Sequence, residues 1–424
     1  MSNTQQQAVP GQYFRWPLLS AQPRQIPEPG PCAPDLNIAL KQGTTVVAPF
    51  GHFENLDIVR GYLLELDYDL TFTAGSGETI TQSPLFPLNL IQSISVSLQA
   101  AYKTLELPGW LAAVMQQYRS FQAPKAFTTD VQAGANVAPR NAQGSLNYNG
   151  LPALATPNLA ITSGAAQQFS SFIEVPVASY FDLYWEIDPQ DGSAIAAVPR
   201  AIVSPARMAA TQRNVTPQVK FNPLFSTGDT YDSPASIASG DTTSTAVGSV
   251  NASWWRSGWV PTDNPLTEPI GYAWQAARMG LDFQPAGAQK PIINLADDRA
   301  GQGQILSLVF GTWDPALNSG GGGFTPPSDV EKLKLSIGST VVLYDDTPNT
   351  NALRWASQHG RALPFGLYGW DLALTEDGRL TNENALNTLV QSGVQLSVEY
   401  LASAKPSNSA TIFVGIESLQ AVTN

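Results

Sequence analysis

The sequence has little charge and few of the residues that build catalytic or metal sites. Only 13% of its 424 residues are charged, about half the usual share, and it holds two histidines and one cysteine. The single Cys32 excludes an intrachain disulfide framework and a zinc site made of several cysteines; we interpret it as a free thiol. So few charges in so long a chain indicate a large buried fraction or extensive contacts between copies of the chain.

No segment is strongly basic or continuously apolar. The net charge is −12, and no Lys/Arg run of the kind that binds phosphate backbones occurs, so we expect no direct, sequence-specific binding of nucleic acid. Residues 1–7 lack the basic-then-apolar pattern of a secretory signal, and no run approaches the ~18 apolar residues of a membrane span. We predict a protein without a transmembrane segment that is not exported by a cleavable signal.

Motifs of the common enzyme classes are also missing. No Walker-type phosphate loop, dinucleotide-binding glycine motif, nucleophile elbow or zinc-protease helix is present. Pairs of carboxylates could serve a glycosidase or bind a cation, but polar strand faces and Asp-rich turns are the ordinary interpretation. The pairs in question are Asp67 with Asp69, Asp297 with Asp298, and Asp345 with Asp346.

We interpret neither histidine as a catalytic residue. His359 is predicted at the end of a short helix, where a cation suits the carbonyl dipoles, and His52 lies in a turn. We therefore predict no catalytic, cofactor-binding or metal-binding site, no cofactor and no enzymatic activity.

Glycine, proline and strand patterns are what the sequence does contain. Its 34 Gly and 33 Pro mark many turns, which is typical of a mainly β protein. From Arg60 to Phe72, apolar and polar residues alternate, which predicts a strand with one buried face. That face holds Leu64, Leu66, Tyr68, Leu70 and Phe72.

Two further elements complete the stretch Leu56–Tyr118. A strand is predicted over Leu90–Leu98, with Ile94, Val96 and Leu98 inward. A short helix near Leu107–Tyr118 follows, and its apolar stripe is predicted to pack on a sheet.

Composition divides the chain into three regions. Residues 1–35 form a Pro-rich, extended N-terminal arm, whose apolar cluster around Tyr13 to Leu19 docks either on its own domain or on a neighbouring subunit. Residues 36–262 form a first domain, with long surface loops at 120–165 and 226–249, and residues 263–424 form a second.

The second half repeats the order of elements in the first. A strand at Ile305–Phe310, strand pattern over residues 333–343, and a helix at Asn351–His359, capped by Asn351 or Thr350, follow each other as before. Each helix carries a tryptophan, Trp110 in the first half and Trp355 in the second. Late in each half comes a similar strand, at 172–178 and at 394–402. This order predicts an internal duplication.

Four short stretches, in this order and spacing, resemble the double jelly-roll major capsid proteins of tailless, internal-membrane bacteriophages, the tectivirus group. They are Ile58-Val59-Arg60-Gly61-Tyr62-Leu63; Asn89-Leu90-Ile91-Gln92-Ser93-Ile94 with Pro108-Gly109-Trp110; Phe172-Ile173-Glu174-Val175-Pro176-Val177-Ala178; and Leu396-Ser397-Val398-Glu399-Tyr400. The Pro-rich arm and the loops depart from the family, so what they contact is not implied by the resemblance.

The resemblance implies a mainly β fold of two tandem jelly rolls with short flanking helices. It also implies a homotrimer that tiles an icosahedral virion shell as a pseudo-hexagon, around an internal membrane, after synthesis in the host cytoplasm. Partners would be neighbouring trimers and minor capsid, vertex or membrane proteins. The flanking helices and the arm are the candidate subunit contacts. The alternative is a carbohydrate-binding or carbohydrate-active β-sandwich, which needs an exposed aromatic platform or a carboxylate pair in a cleft.

Overall fold

The described residues form two β-barrels with the same strand order. The computed structural model describes residues 24–25, 38–39, 45–47, 58–98, 102–119, 130–133, 136–137, 161–176, 215–227, 230–237, 243–259, 275–285, 288–295, 304–338, 340–359, 362–364, 366–372, 386–388, 391 and 393–421.

Strands and helices are numbered along the chain. The strands are β1 (Arg24–Gln25), β2 (Ile38–Ala39), β3 (Thr45–Val47), β4 (Ile58–Thr73), β5 (Ile80–Gln82), β6 (Ile91–Leu98), β7 (Tyr102–Leu107), β8 (Asp130–Ala133), β9 (Asn136–Val137), β10 (Ala166–Pro176), β11 (Val215–Phe221), β12 (Phe225–Thr227), β13 (Ala235–Ile237), β14 (Thr245–Trp259), β15 (Gln275–Pro285), β16 (Ile292–Asn294), β17 (Gln304–Asp314), β18 (Gly323–Phe324), β19 (Val330–Ile337), β20 (Val341–Asp346), β21 (Leu367–Asp371), β22 (Leu386–Asn387), β23 (Val394–Tyr400) and β24 (Thr411–Ala421). The helices are α1 (Gly109–Arg119), α2 (Leu317–Gly320) and α3 (Pro348–His359).

The strand order is that of a jelly roll, in which eight strand positions form two sheets ordered 1-8-3-6 and 2-7-4-5. Barrel 1 has the sheets β1/β2–β14–β4–β10 and β3–β11–β6–β7. Barrel 2 has the sheets β15–β24–β17–β21 and β16–β23–β19–β20. The same order in both halves confirms the predicted double jelly roll.

The two barrels share a sheet. Strand β7 of barrel 1 runs parallel to β15 of barrel 2, with Leu105 opposite Met279. This contact joins strands of both barrels into one 10-stranded sheet. The boundary predicted at residue 262 lies outside the described residues, between the last strand of barrel 1 and the first strand of barrel 2, and stays a prediction.

The alternating pattern in β4 is confirmed. Leu64, Leu66, Leu70 and Phe72 are fully buried, and Tyr68 is nearly so. Strand β4 lies between β14 and β10, both antiparallel to it, and its apolar face from Leu64 to Phe72 packs in the hydrophobic core. On β6, Ile94 and Val96 are likewise buried, as expected.

The internal duplication is confirmed in one part and wrong in another. The hairpin β6–β7 followed by α1 corresponds to the hairpin β19–β20 followed by α3. The predicted correspondence between the two later strands is wrong. Strand β10 is sixth in its barrel and corresponds to β21, whereas β23 is seventh and corresponds to β11.

Residues 226–249 do not form one exposed loop, as the Ser/Thr/Gly composition predicted. Strand β13 lies within them and pairs with β5 and β12, and Thr230, Ser233 and Ala235 are fully buried. The polar side chains are accommodated because they form hydrogen bonds: the Thr230 hydroxyl donates to the Gly321 carbonyl, and the Ser233 hydroxyl donates to the Ala235 carbonyl at 2.9 Å. In the other predicted loop, 120–165, the described residues include the short strands β8 and β9.

Two residues of the N-terminal arm are described. Arg24 and Gln25 pair with Arg256 and Trp255 of β14, so this part of the arm adds a short strand to its own barrel. The apolar cluster of the arm, Cys32 and His52 lie outside the described residues. In the described part of the chain, no helix is long and apolar enough to cross a membrane.

Candidate assembly surfaces

Helix α1 lies between the two barrels. Its residues Trp110 to Met115 are at most 1% exposed, so the helix is buried on all sides over its first two turns. It packs on β6 and β10 of barrel 1, while the Trp110 ring meets Phe413 of β24 edge-to-face with centroids 4.7 Å apart. The expectation that α1 contacts other subunits is therefore wrong for these residues.

Strand β24 is buried on both faces because its side chains pack into two different hydrophobic clusters. Ile412, Val414 and Ile416 belong to the core of barrel 2. Phe413 belongs to the cluster that joins the core of barrel 1 to the junction between the barrels, and a Cβ on Gly415 would stand 2.9 Å from Leu111 Cδ2. The glycine thus lets the Leu111 side chain approach the sheet of barrel 2.

Residues 230–237 also connect the barrels. Tyr231 packs edge-on against both Trp110 and Trp313, and Thr230 donates its hydroxyl to the carbonyl of Gly321 in barrel 2. On the other side, Asn89 Nδ2 donates to the carbonyls of Thr230 and Ser233, at 2.9 and 2.6 Å. This segment is a buried connection and not a surface loop.

Helix α3 is fixed to its own barrel by its N-terminus. Thr347 supplies the cap, since its Oγ1 accepts from the Thr350 amide at 3.2 Å. The predicted cap, Asn351 or Thr350, is therefore wrong. Asn351 is buried inside the helix, where its side-chain amide donates to Gly369 O and accepts from Gly369 N, both at 3.0 Å.

The acidic pair at residues 345 and 346 lies at the end of β20 and not in a turn. Asp346 is buried and binds the Arg354 guanidinium through both oxygens, at 3.1 and 3.2 Å, while Trp370 Nε1 donates to it at 2.9 Å. The guanidinium also lies 4.9 Å from the Tyr344 ring centroid. Asp346 is thus occupied by structural donors, whereas Asp345 is exposed.

His359 ends α3, as predicted, and is buried. Its Nε2 lies 3.2 Å from Asp371 Oδ2, and its ring stacks on Trp355 with centroids 4.3 Å apart. Gln358 donates to the Asp371 carbonyl from the same turn. The histidine lies between the helix and the sheet edge, where these contacts support its structural interpretation.

Asp67 and Asp69 lie on β4 of barrel 1 and are not brought together with His359. Asp69 is exposed on β4, where its carboxylate accepts from Gln168 Nε2 at 3.3 Å. Asp67 lies opposite Ser170 and Asn251 in the same sheet, and Asp297 and Asp298 fall outside the described residues. Within the described part of the chain, no group of three or more His, Cys, Asp or Glu residues could hold a metal ion.

The tyrosines of barrel 2 are strongly perturbed by burial. Burial raises the pKa of Tyr368 well above its ordinary value, and the neighbouring Tyr400 and Asp329 raise it further. Burial also raises the pKa of Tyr400, although the hydrogen bond with Thr312 offsets part of this rise. Both hydroxyls are therefore neutral across the physiological range.

Four tryptophan side chains are described, and all are buried: Trp110, Trp313, Trp355 and Trp370. They pack in the two cores and at the junction between the barrels. Among the tryptophans whose side chains the structure describes, none forms an exposed platform for stacking on sugars.

Three of the six large apolar side chains that are exposed in the described part of the chain lie on β20 and α3 of barrel 2: Val341, Val342 and Leu353. They are 50, 44 and 72% exposed. Sequence reasoning missed them. The helical spacing could have found Leu353, because Asn351, Trp355, Gln358 and His359 mark the buried face of α3 and Leu353 falls on the other side.

Comparisons with known proteins find similarity at the level of structure only. No protein-family model and no curated protein matches the chain. The MCP of Sulfolobus turreted icosahedral virus (STIV) is similar with TM-score 0.50 and 13% identity, over 90% of this chain and 93% of that chain. Major capsid protein P2 of bacteriophage PM2 is similar with TM-score 0.39 and 9% identity, over 91% of this chain and 97% of that one. The first of these likenesses agrees with the double jelly-roll fold that the strand order shows.

Proposed function

We propose that this chain is a structural major capsid protein. Its trimers, each a pseudo-hexagon of six barrels, would tile an icosahedral virion shell around an internal membrane. The observation that carries the proposal is the tandem of two jelly rolls with one strand order, joined through a shared sheet in a single chain. A trimer of such chains presents six similar barrels and can tile a surface as a hexagon does.

Several features support a role in assembly and not in catalysis. The charged share is low, and apolar residues remain exposed on the edge strand β20, as on a surface that another chain covers. The buried His359 and Asp346 are engaged by Asp371 and by Arg354 with Trp370. The STIV MCP, whose fold this chain shares, belongs to an icosahedral virus by its name.

The proposal extends to partners and location. The chain would contact copies of itself within and between trimers, and minor capsid, vertex or membrane proteins of the virion. It would be made in the host cytoplasm and end in the virion shell. It would need no cofactor and would not bind nucleic acid directly, in keeping with its net charge of −12.

The mass of the purified full chain in dilute buffer tests this function, together with a glycan-binding assay. We expect a trimer without glycan affinity, and shell-like particles by electron microscopy in cells that express the chain with its virion partners. A monomer that binds glycans would overturn the proposal in favour of the carbohydrate-binding β-sandwich.

A further inference from the structure

Helix α3 is fixed to barrel 2 at both of its ends, but by different chemistry. Towards its N-terminus, the Asn351 amide bonds to the backbone of β21, and Arg354 binds Asp346. The amide carries no charge, and a guanidinium keeps its charge at every pH that proteins meet. At the C-terminus, His359 contacts Asp371. Histidine is the side chain among these whose charge changes near neutral pH.

Three contacts favour the protonated form of His359. Its Nε2 lies 3.2 Å from Asp371 Oδ2, and both side chains are at most 1% exposed, so little water screens their attraction. Its ring stacks on the Trp355 indole with centroids 4.3 Å apart, within the ~6 Å over which an aromatic face attracts a cation. It is also the last residue of α3, where the helix carbonyls favour a positive charge.

Burial by itself opposes this charge, because an imidazolium loses its hydration inside a protein. The Asp371 carboxylate offsets that cost, since it is buried at the same place. Release of the proton from His359 would leave the carboxylate buried while removing the positive charge beside it. Breaking a buried pair in this way costs more than keeping both charges.

The other charged groups on the strands under α3 do not reverse this balance. Helix α3 packs on β19, β20 and β21. On β20, Asp346 and Tyr344 both contact Arg354, and on β21 the phenol of Tyr368 is neutral because burial raises its pKa. The remaining charged residues of β19 and β20 are at least partly exposed to solvent: Glu331, Lys332, Lys334 and Asp345.

One further buried carboxylate lies on the same face of the sheet. Ser307 of β17 stands opposite Asp371 on one side and opposite Glu417 of β24 on the other, and its hydroxyl donates to Glu417 at 3.3 Å. Residues directly opposite each other in adjacent strands point to the same side. An ionised Glu417 attracts the imidazolium of His359 and a neutral one leaves it unaffected, so neither state changes the sign of the effect.

We infer that His359 is a proton-dependent clamp: its bound proton holds the last turn of α3 on β21, and loss of that proton above neutral pH loosens this turn. The clamp lies within a single chain and goes beyond the proposed capsid function, which does not require it. Its stabilisation is fully present below the ordinary histidine value of about pH 6.5. It is lost as pH rises through the higher value at which the folded chain releases the proton.

Histidine NMR of the full chain measures this proton directly. The sequence has two histidines, so selective labelling gives two imidazole signals, and His52→Gln leaves the signal of His359. We expect its titration midpoint at least about one pH unit above the ordinary value of about 6.5, and a lower midpoint in Asp371→Asn. A wild-type midpoint at or below the ordinary value overturns the inference, whether or not the Asp371→Asn variant folds.

Stability measured against pH tests whether the proton holds the helix. His359→Gln keeps a polar side chain but cannot carry a charge. The wild type should resist more urea than this variant at about pH 6, and the difference should shrink towards about pH 9. Asn351→Ala is the control, because the N-terminal contact that it removes has no titrating group, and its deficit should be the same at both pH values. A deficit of His359→Gln that does not change with pH contradicts the clamp.

Amide hydrogen exchange, corrected for its intrinsic pH dependence, locates the loosening. Between about pH 7 and pH 9, protection of residues 355–359 should fall in the wild type while that of residues 350–353 is kept. In His359→Gln, residues 355–359 should exchange faster already at the lower pH. Equal protection of both halves of α3 at both pH values would overturn the inference and leave the capsid function standing.

Discussion

The side-chain amide of Asn351 pairs with the backbone of Gly369 as a neighbouring strand would, with one donated and one accepted hydrogen bond of 3.0 Å each. Helix α3 is thereby joined to the edge of β21 through a buried side chain. The Trp355 ring lies over the same glycine, where a Cβ would stand 2.6 Å from Trp355 Cζ3. Helix and sheet approach each other closely because Gly369 has no side chain.

We expect Asn351→Ala to destabilise the fold by about 2–4 kcal/mol, because the buried N–H and C=O of Gly369 lose their partners together. Urea denaturation of the purified protein measures the change. Asn349→Ala, at an exposed position in the first turn of the same helix, is the control and should have little effect. A loss of the same size in both variants would contradict the role assigned to the Asn351 amide.

The junction between the barrels predicts a coupling between Gly415 and Leu111. Gly415→Ala should cost about 1–3 kcal/mol, because the new methyl group would crowd Leu111 Cδ2. The cost should fall in a Leu111→Ala background, where that methyl is absent. A double-mutant cycle measures the coupling. Leu295→Ala, in the core of barrel 2, is the control and should be additive with Gly415→Ala; additivity in the Leu111 cycle would refute the contact.

The pair of Asp346 and Arg354 should stabilise the fold more than an exposed pair does. Arg354→Ala leaves the buried Asp346 with fewer donors, and we expect a loss of about 1–3 kcal/mol. Lys290→Ala removes the exposed pair with Glu399, also 3.1 Å long, and should cost about 0–1 kcal/mol. Thermal and urea unfolding compare the two variants. Equal losses of unfolding free energy would show that burial of Asp346 does not make its pair with Arg354 more stabilising than an exposed pair.

Stability should fall at alkaline pH because of Tyr368 and Tyr400. Burial raises the pKa of both in the folded state, so their contribution is fully present below the unfolded value of about 10 and declines as pH rises above it. Each tyrosine adds a slope of up to about 1.4 kcal/mol per pH unit. Urea unfolding between about pH 9 and 11 measures the slope.

Tyr368→Phe and Tyr400→Phe should each make this alkaline decline shallower, because phenylalanine has no proton to lose. Phenylalanine keeps the buried ring, so the effect on slope is separable from an effect on packing. A decline that is identical in the wild type and in the double variant would contradict the assignment.

Much of the first barrel could be predicted because its signals are local. The period-2 pattern of β4 and the helical spacing of α1 depend on neighbours a few residues away, and both elements are found where they were expected. The order of hairpin and helix, repeated at β19, β20 and α3, is also readable along the chain.

Other features depend on strands that are distant in sequence. Strand β10 was matched to β23 by similar residues, but the sheet neighbours that define its position are β4 and β8. Residues 230–237 look like a surface loop by composition, yet Asn89 and Gly321 provide the hydrogen bonds that allow burial. Composition cannot reveal such partners because they are brought close only by the fold.

The sequence by itself determined the class of the protein: alternating strands, two short tryptophan-containing helices in repeated order, and few residues suited to chemistry. Only the tertiary structure decided what each helix does. Helices α1 and α3 look alike in sequence, but α1 is buried because β24 of barrel 2 covers its outer side, whereas α3 leaves Leu353 exposed. A helix is buried on its outer side only when a surface that is distant in sequence packs against it. Barrel 2 supplies such a surface to α1, whereas Leu353 of α3 stays exposed in the single chain.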